Sequence, residues 1–294
     1  MTIIEARSWI SQELLRKYSP SESQMLAQQL LSWALSQSFA HLLANPQQPV
    51  PTKTLAVLSH ILGEHLEEHK PLQYCLGTVP FITATLKVRP PILIPRPETE
   101  WWIALMIGLL KKVPQPKLTL LDMCTGSGCI AIALAQAFPE ATIYAVDIEV
   151  EALKLAQENA SLNGCTNIIF IQSDLFKHIP QELAFDCIVS NPPYISPSEY
   201  EQLDPDVKLW EDPKALRAED EGLSILTQII KESPSWLTQN PLFTEQHVPQ
   251  LAVEIGEHQA KRVSTQMRKS GFVPTVYRDL ADKDRMVAGE VPRE

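Results

Sequence analysis

Apolar side chains in the first 70 residues recur with the spacing of amphipathic helices. The stretch Ser19-Pro-Ser-Glu22 combines a serine N-cap, a proline at the first helical position and a glutamate three residues after the cap, which together form a capping box. The helical spacing that follows, from Met25 to Ala34, predicts a helix that ends before Asn45-Pro46. A later pattern predicts another helix over Thr54–Glu68. We therefore expect a small all-helical domain over residues 1–75.

Short apolar runs alternate with helical patterns in the rest of the chain. Helical patterns cover Ile130–Ala137 and Val150–Asn163. The apolar runs are the expected strands, and they lie at Leu118–Leu121, Thr142–Val146, Ile168–Ile171, Asp186–Val189 and Leu251–Ile255. Apolar strands separated by helices predict a mostly parallel sheet that is covered on both faces. The expected fold class is α/β, with a doubly wound, Rossmann-like sheet over residues 116–294 and a linker over residues 76–115.

The charge balance and the apolar runs limit the expected partners. The chain has 25 Lys and Arg against 35 Asp and Glu, a net charge of −10. Because binding to phosphates requires a surplus of basic side chains, we expect no direct nucleic-acid partner. The longest apolar run, Trp101–Leu110, is about half of the ~20 residues that a membrane span needs. The first residues lack the features of a signal peptide, so we expect a cytoplasmic protein without membrane contact.

Cysteine and histidine positions predict no metal site. The cysteines include no C-x-x-C pair, and the histidines show no ligand spacing after strands. We expect free, buried thiols rather than disulfides, at Cys75, Cys124, Cys129, Cys165 and Cys187.

A glycine-containing turn follows the first expected strand of the sheet. Gly126 and Gly128 stand between that strand and a helix, where the backbone can approach a ligand and the helix N-terminus presents unpaired N–H groups. Asp147 closes the next strand about 20 residues later, the spacing at which an acid meets a ribose. The pattern predicts a nucleoside pocket, although a dinucleotide fits the glycines equally well and a turn without ligand is the alternative. Asp174 ends a third strand, where it could accept from an adenine amino group or simply form a turn.

The tetrad Asn191-Pro192-Pro193-Tyr194 follows the fourth expected strand. We expect this strand beside the glycine-turn strand, so the tetrad would face the same pocket. The prolines stiffen the loop and leave their carbonyl groups free to accept hydrogen bonds. Asn191 offers the complement of a planar amide or amino group, and the ring of Tyr194 offers a stacking surface. The tetrad therefore predicts a clamp for a planar NH₂ group, although Asn-Pro is also an ordinary turn opener.

An NH₂ group of an amide or aromatic amine is a poor nucleophile because its lone pair is delocalised. Such a nitrogen requires a reactive electrophile, and the sulfonium methyl of S-adenosylmethionine is one. Methyl transfer could proceed once the nitrogen is aligned in a site without water. In this interpretation Asn191 and the carbonyl of Pro192 accept the two N–H groups.

With its glycine turn and its Asn-Pro-Pro-Tyr tetrad, the sequence resembles the class I S-adenosylmethionine-dependent methyltransferases. It resembles the release factor glutamine methyltransferases more closely. The similarity runs from about Pro71 to the C-terminus. It includes Pro71-Leu-Gln-Tyr-Cys-Leu-Gly77, the tetrad with the following isoleucine, and Leu93-Ile-Pro-Arg-Pro-Glu-Thr-Glu100. The last of these is the most discriminating, because the tetrad is shared with enzymes that methylate amino groups of nucleic-acid bases.

The resemblance implies a role for each candidate residue. S-Adenosylmethionine would be held at its methionine end by Cys124, Thr125, Gly126, Ser127 and Gly128, at its ribose by Asp147, and along its adenine by Asp174 and Leu175, with a further contact from Asn191. The catalytic positions Asn191, Pro192, Pro193 and Tyr194 would receive the glutamine of the Gly-Gly-Gln motif of peptide chain release factors. The helical domain would help to grip the release factor. Apart from the resemblance, we expect the protein to be a monomer.

Three positions depart from the family pattern. Cys124 and Asp282 stand where glycines are usual, and Leu175 stands where an aromatic residue is sometimes found. The roles of Arg96 and Glu98 stay open between catalysis and fixing the linker. The alternative functions are methylation of an adenine or guanine amino group, dinucleotide-dependent oxidoreduction, which leaves the tetrad unexplained, and partner binding without catalysis.

Overall fold

The computed structural model describes residues 1–114 and 117–292, and these residues form two compact units. The first unit comprises Met1–Gly77 together with Pro205–Trp210, and the second comprises the rest of the described chain. The expected boundary between residues 115 and 116 lies outside the described residues, so the division into a linker and a sheet domain stays a prediction at that point.

The first unit is all-helical, as the apolar spacing predicts. Its helices are α1 (Ile3–Leu14), α2 (Pro20–Leu35), α3 (Phe39–Ala44), α4 (Thr52–Glu67), α5 (Leu72–Leu76) and, from the second part of the chain, α10 (Pro205–Trp210). The capping box is confirmed, because the Ser19 side chain accepts from the backbone N–H of Glu22 and the Glu22 side chain accepts from that of Ser19.

One helix predicted as continuous is divided in two. The prediction of a single helix from the capping box to Asn45-Pro46 is wrong, because α2 ends at Leu35 and Ser36 adopts a left-handed conformation with φ 51°. Ser38 then starts α3, and its side chain accepts from the backbone N–H of His41. A serine N-cap within an otherwise helical pattern provides the alternative hydrogen bond that ends one helix and begins the next.

The second unit contains two sheets and nine α-helices among its described residues. The hairpin β1 (Thr78–Phe81) and β2 (Ala84–Lys87) forms the small sheet. The large sheet contains β3 (Thr119–Met123), β4 (Thr142–Asp147), β5 (Ile168–Gln172), β6 (Cys187–Ser190), β7 (Leu251–Glu254), β8 (Val273–Arg278) and β9 (Asp284–Glu290). The helices are α6 (Pro97–Leu110), α7 (Cys129–Ala137), α8 (Val150–Leu162), α9 (Pro197–Tyr200), α11 (Pro213–Leu216), α12 (Glu219–Gly222), α13 (Ser224–Glu232), α14 (Pro241–Glu245) and α15 (Ala260–Lys269), with a 3₁₀ helix at Ser233–Trp236.

The strand order of the large sheet is β5-β4-β3-β6-β7-β9-β8. The first five strands in this order are parallel, and β9 pairs antiparallel with both β7 and β8. Every residue of β6 and β7 is buried, so the middle of the sheet is covered on both faces. The α/β fold class is confirmed, and each of the five predicted strands begins within one residue and ends within two residues of its observed position.

The strand order also confirms that β6 lies beside β3, with Met123 paired to Ser190. The order reverses at this point: β4 and β5 lie on one side of β3, whereas β6 and β7 lie on the other. A crevice for a ligand forms at such a switch point, at the carboxyl ends of the strands. No helix in the described part of the chain is long and apolar enough to cross a membrane.

Candidate active site

The turn after β3 contains two glycines with left-handed backbone, Gly126 at φ 54° and Gly128 at φ 82°. A Cβ on Gly128 would lie 2.9 Å from the Cβ of Ala156, so this glycine permits close approach of α8. A Cβ on Gly126 would meet no atom of the described protein within 4 Å. The two glycines therefore differ, since Gly128 serves packing whereas Gly126 borders space that a ligand could use.

Asp147 closes β4 and contacts the glycine turn directly. Its Oδ2 accepts from the backbone N–H of Gly126 at 2.8 Å, and its Oδ1 accepts from that of Glu149 at 2.9 Å. Burial raises the pKa of the Asp147 carboxyl above its usual value. Because each carboxylate oxygen has more than one lone pair, both can still accept a hydroxyl of a ribose. The residues present thus fit a nucleoside.

Beneath the turn lies Asp122, which sequence reasoning missed as a site residue. Its Oδ2 accepts from the hydroxyl of Thr125 at 2.6 Å and from the backbone N–H of Ala131 at 3.0 Å. Its Oδ1 has no hydrogen-bond partner among the described residues. Burial raises the pKa of Asp122 to about 7. The carboxyl therefore ties the turn to the first residues of α7 at the cost of an unpaired buried oxygen.

Cys124 has a left-handed backbone, with φ 64°. An L-residue with a side chain is disfavoured in this region, which gives a physical reason for the glycine that is usual there. The half-buried side chain packs against the core of the second unit, and burial raises the pKa of the thiol. The other predicted thiols are also free: Cys129 and Cys187 are buried, whereas Cys75 and Cys165 are only half-buried.

Asp174 and Leu175 follow β5, beside β4. Asp174 is half-buried, and its Oδ2 accepts from Nζ of Lys177 at 2.5 Å. Leu175 has φ 49° and a side chain that is buried in the core of the second unit. A ligand at this edge would therefore meet the carboxyl of Asp174 more readily than the side chain of Leu175.

Asn191 is the first residue after β6 and is half-buried. Its Nδ2 donates to Oγ1 of Thr99 at 3.1 Å. Thr99 lies in the first turn of α6, within the stretch that distinguishes the resemblance most strongly. The structure thus brings the tetrad into contact with a second sequence motif, which sequence reasoning did not foresee.

Glu254, the last residue of β7, organises the groups around Asn191. This buried carboxylate accepts at Oε2 from the Thr99 hydroxyl at 2.6 Å and from Nε1 of Trp102 at 2.7 Å. It accepts at Oε1 from the Tyr194 hydroxyl at 3.0 Å. Burial raises the pKa of Glu254, and the three donors oppose that shift. A charged residue at the end of a fully buried strand was the sequence signal that could have identified it.

The rest of the tetrad is held through its backbone and packing. Pro192 is buried, and Pro193 and Tyr194 are half-buried. Nε2 of Gln259 donates to the Tyr194 carbonyl at 2.8 Å. A Cβ on Gly222 would lie 2.0 Å from the same carbonyl oxygen. The loop is therefore fixed from two sides, and burial together with the Glu254 carboxylate raises the pKa of the Tyr194 hydroxyl.

The discriminating stretch before α6 also contains an ion pair. Nη2 of Arg96 lies 2.5 Å from Oε2 of Glu211, whose side chain is fully buried. Oε1 of Glu211 accepts from the backbone N–H of Ile94 at 3.4 Å. These contacts join the segment before α6 to the segment before α11. Glu98, by contrast, is exposed in the first turn of α6.

All the candidate site residues follow four adjacent parallel strands. The order β5-β4-β3-β6 brings Asp174 and Leu175, Asp147, the glycine turn and the tetrad to one edge of the sheet. This is the edge at which ligands of doubly wound sheets bind. The residues that sequence reasoning missed are Thr99, Trp102, Asp122 and Glu254.

Two family models match the chain: the PrmC N-terminal domain over residues 5–77 and the Methyltransferase small domain over residues 104–206. A release factor glutamine methyltransferase of Thermodesulfovibrio yellowstonii is 35% identical over 242 residues, which cover 82% of this chain and 84% of that protein. The chain belongs to the release factor glutamine methyltransferase family. Another member, from Coxiella burnetii, is 35% identical over 291 residues, covering 98% of each chain.

Among solved structures, a methyltransferase from Pyrococcus furiosus superposes with a TM-score of 0.50 at 13% identity, covering 83% of this chain and all of that one. This similarity concerns the fold alone. Membership of the release factor glutamine methyltransferase family confirms the resemblance stated from the sequence, and it makes the chain a methyltransferase of the S-adenosylmethionine-dependent class. Family membership also favours methylation of a release factor glutamine over methylation of nucleic-acid bases.

Proposed function

We propose that this chain transfers a methyl group from S-adenosylmethionine to the side-chain amide nitrogen of the glutamine in the Gly-Gly-Gln motif of peptide chain release factors. The observation that carries the proposal is the position of Asn191, at the end of β6 and beside the glycine turn that follows β3. Relatives named release factor glutamine methyltransferase support the same substrate.

The proposed cofactor site is the turn Cys124–Gly128 with Asp147. S-Adenosylmethionine would supply a methyl group on a sulfonium centre, which is electrophilic enough for an amide nitrogen. Gly126 would allow the backbone to approach the cofactor, and the Asp147 carboxylate would accept from the ribose hydroxyls. Asp174, which follows β5, would accept from the adenine amino group at Oδ1, because its Oδ2 already accepts from Nζ of Lys177.

The proposed role of the tetrad is to orient the target nitrogen. Oδ1 of Asn191 and the carbonyl of Pro192 would each accept one N–H of the glutamine side chain, which fixes the plane of the amide. The ring of Tyr194 would provide the wall of the site. Transfer leaves positive charge on the nitrogen, and these two acceptors favour that charge until the proton leaves.

The helical unit is proposed to contact the body of the release factor. The family model for the PrmC N-terminal domain matches residues 5–77 of this unit, and the catalytic residues proposed above all belong to the other unit. A role in substrate recognition would therefore leave the chemistry unaffected. All the proposed contacts come from one chain, so a monomer suffices, and the substrate implies a cytoplasmic reaction.

The test is incubation of the protein with methyl-labelled S-adenosylmethionine and a bacterial release factor. The intact factor is compared with a variant in which the glutamine of the Gly-Gly-Gln motif is replaced by alanine. We expect label only in the intact factor, with the modified residue identified by mass spectrometry. Equal labelling of the two factors, or none in either, would contradict the proposal.

A further inference from the structure

The buried carboxylate of Glu254 has a hydrogen-bonding pattern that allows only one assignment at Oε2. That oxygen lies 2.7 Å from Nε1 of Trp102 and 2.6 Å from Oγ1 of Thr99. An indole N–H can only donate, so Oε2 must accept from Trp102. Oε1 accepts from the Tyr194 hydroxyl at 3.0 Å, so three donors point at the two oxygens, which is the pattern of an ionised carboxylate whose oxygens only accept. Oε2 of this carboxylate therefore accepts from the Thr99 hydroxyl as well.

This assignment fixes the direction of the next hydrogen bond. The Thr99 hydroxyl has one hydrogen, and that hydrogen points to Oε2 of Glu254. Toward Asn191, the Thr99 oxygen can then only accept. The side-chain atom of Asn191 that lies 3.1 Å from it must consequently be the NH₂ group. The Asn191 amide has one orientation, in which Oδ1 is the atom left for other contacts.

We propose that Glu254, acting through Thr99, positions the Asn191 amide so that the site selects an uncharged amide and rejects a carboxylate. This inference rests on the proposed function and extends it to substrate selection. A glutamine side chain offers two N–H donors to the two acceptors, Oδ1 of Asn191 and the Pro192 carbonyl. A glutamate side chain offers only oxygen atoms, so both contacts become repulsive.

Glu254 is a positioning residue in this scheme. Among the described residues its three hydrogen-bond partners are Thr99, Trp102 and Tyr194, and Thr99 is the one that contacts the Asn191 amide. Without its hydrogen bond to the Thr99 oxygen, the Asn191 amide would be free to rotate and present its NH₂ group to the substrate. Such a rotated amide would bind a carboxylate, and the discrimination between glutamine and glutamate would shrink.

The first experiment compares Thr99→Val with Thr99→Ser. Valine has nearly the shape of threonine but can neither donate nor accept, whereas serine retains the hydroxyl. Each variant is assayed with the intact release factor, and a factor with glutamate in place of the target glutamine serves as competitive inhibitor. The readouts are kcat, KM, the Ki of the glutamate factor, and the affinity for S-adenosylhomocysteine.

For Thr99→Val we expect kcat to fall about 10- to 100-fold, because a polar contact to an aligned group is lost. The ratio of the inhibitor Ki to the substrate KM should fall at least about tenfold, since one repulsive contact becomes attractive. Affinity for S-adenosylhomocysteine should be unchanged. Thr99→Ser should remain within about threefold of wild type. An unchanged Ki-to-KM ratio in Thr99→Val, or equal losses in both variants, would overturn the inference.

Glu254→Gln provides a second test that survives if Thr99→Val does not fold. The glutamine oxygen can accept from Thr99 and Trp102, and its NH₂ group can donate to the Tyr194 oxygen. We therefore expect kcat and the Ki-to-KM ratio within a few-fold of wild type. A folded Glu254→Gln protein that has lost more than about 100-fold of its activity would show that the charge of Glu254 matters, and not the hydrogen bonds that connect it through Thr99 to Asn191. That result would overturn the inference. If wild-type protein does not label the release factor at all, the proposed function fails first, and the inference fails with it.

Discussion

Thr99 and Asn191 are 92 positions apart in the sequence and are joined by a hydrogen bond of 3.1 Å. This bond connects the first turn of α6 with the loop after β6. The two motifs that most resemble the family, one before the sheet and one within it, therefore meet at one pair of side chains. Under the proposed function, the first motif orients the amide that the second presents to the substrate.

The role of Asn191 can be tested by truncation. In Asn191→Ala both the proposed substrate acceptor and the bond to Thr99 are lost. We expect transfer to the release factor to fall at least about 100-fold, because the target nitrogen is no longer aligned. Affinity for S-adenosylhomocysteine, measured by calorimetry, should change by less than about threefold, because the glycine turn and Asp147, which are proposed to hold most of the cofactor, are unchanged.

Asn163→Ala is a suitable control for that variant. The Asn163 side chain donates to the backbone carbonyls of Thr85 and Asn159, far along the chain from the tetrad. The Asn163→Ala protein should transfer the methyl group at the wild-type rate when it is assayed below its own unfolding temperature. A strong loss of cofactor affinity in Asn191→Ala would show that this residue supports the cofactor rather than the target.

At position 126 we expect a side chain to be excluded by the bound cofactor and not by neighbouring protein atoms. A Cβ at this position meets no described atom within 4 Å, so Gly126→Ala should fold, with a loss of about 1–2 kcal/mol from the left-handed backbone. The methyl group would occupy the space assigned to the cofactor. Affinity for S-adenosylhomocysteine should therefore fall at least about tenfold in a calorimetric titration.

The control for Gly126→Ala is Gly164→Ala, which carries the same backbone strain at a position outside the proposed cofactor site. Gly164 has φ 68°, and an added Cβ would again meet open space, but this glycine lies in the turn after α8. The cofactor affinity of this variant should equal that of wild type. Equal affinity losses in the two variants would mean that strain, and not the bound ligand, explains the effect at Gly126.

Gly222 is predicted to fix the tetrad by close contact. A Cβ there would lie 2.0 Å from the Tyr194 carbonyl oxygen and 2.7 Å from Nε2 of Gln259, so Gly222→Ala must displace the loop. We expect both a lower unfolding temperature and a fall in transfer of about tenfold or more, since small displacements of an aligned group are costly.

The control is Gly271→Ala, at φ 90° with no atom within 4 Å of the added Cβ. It should lose about 1–2 kcal/mol of stability from the backbone alone and keep its transfer rate. If Gly222→Ala is no worse than Gly271→Ala in either measurement, the contact with Tyr194 does not position the tetrad.

Local patterns were sufficient to predict the five parallel strands of the large sheet, although not β8 and β9. Strands β3 to β7 are short apolar runs bounded by turns, and the glycines of residues 126 and 128 identify the turn from neighbouring residues alone. The neighbour relation of β3 and β6 followed from the connection rules of doubly wound sheets. These features depend on interactions that are close in sequence or on general topology.

The contacts within the site could not be predicted because they join distant segments. Thr99 and Trp102 reach Glu254 over 155 and 152 positions, and no local pattern distinguishes these partners from others of the same type. The break at Ser36 was missed for a different reason: it lacks the Gly or Pro that usually marks a helix end. Likewise, no pattern indicated that Pro205–Trp210 belongs to the helical unit.

The buried carboxyl of Asp122 predicts a specific dependence of stability on pH. Its pKa is about 7 in the folded protein, against 3.8 for an unperturbed aspartate. Between these values the folded state binds more protons than the unfolded state, so the free energy of unfolding decreases as pH rises. The contribution is fully present below about pH 4 and is lost as pH passes through 7. One such group changes the slope by at most about 1.4 kcal/mol per pH unit.

Asp122→Asn removes this titration while it keeps an oxygen that can accept from the hydroxyl of Thr125 and from the N–H of Ala131. Glu254, whose pKa is also raised by burial, titrates in both proteins and cancels in the comparison, whereas Asp147 interacts with the Asp122 charge. Urea unfolding at pH 5, 6, 7 and 8 should therefore give a flatter profile for Asp122→Asn below about pH 7 and parallel profiles above it. Parallel profiles over the whole range would show that Asp122 is ionised throughout and that the turn supplies more stabilisation to its carboxylate than its hydrogen bonds suggest.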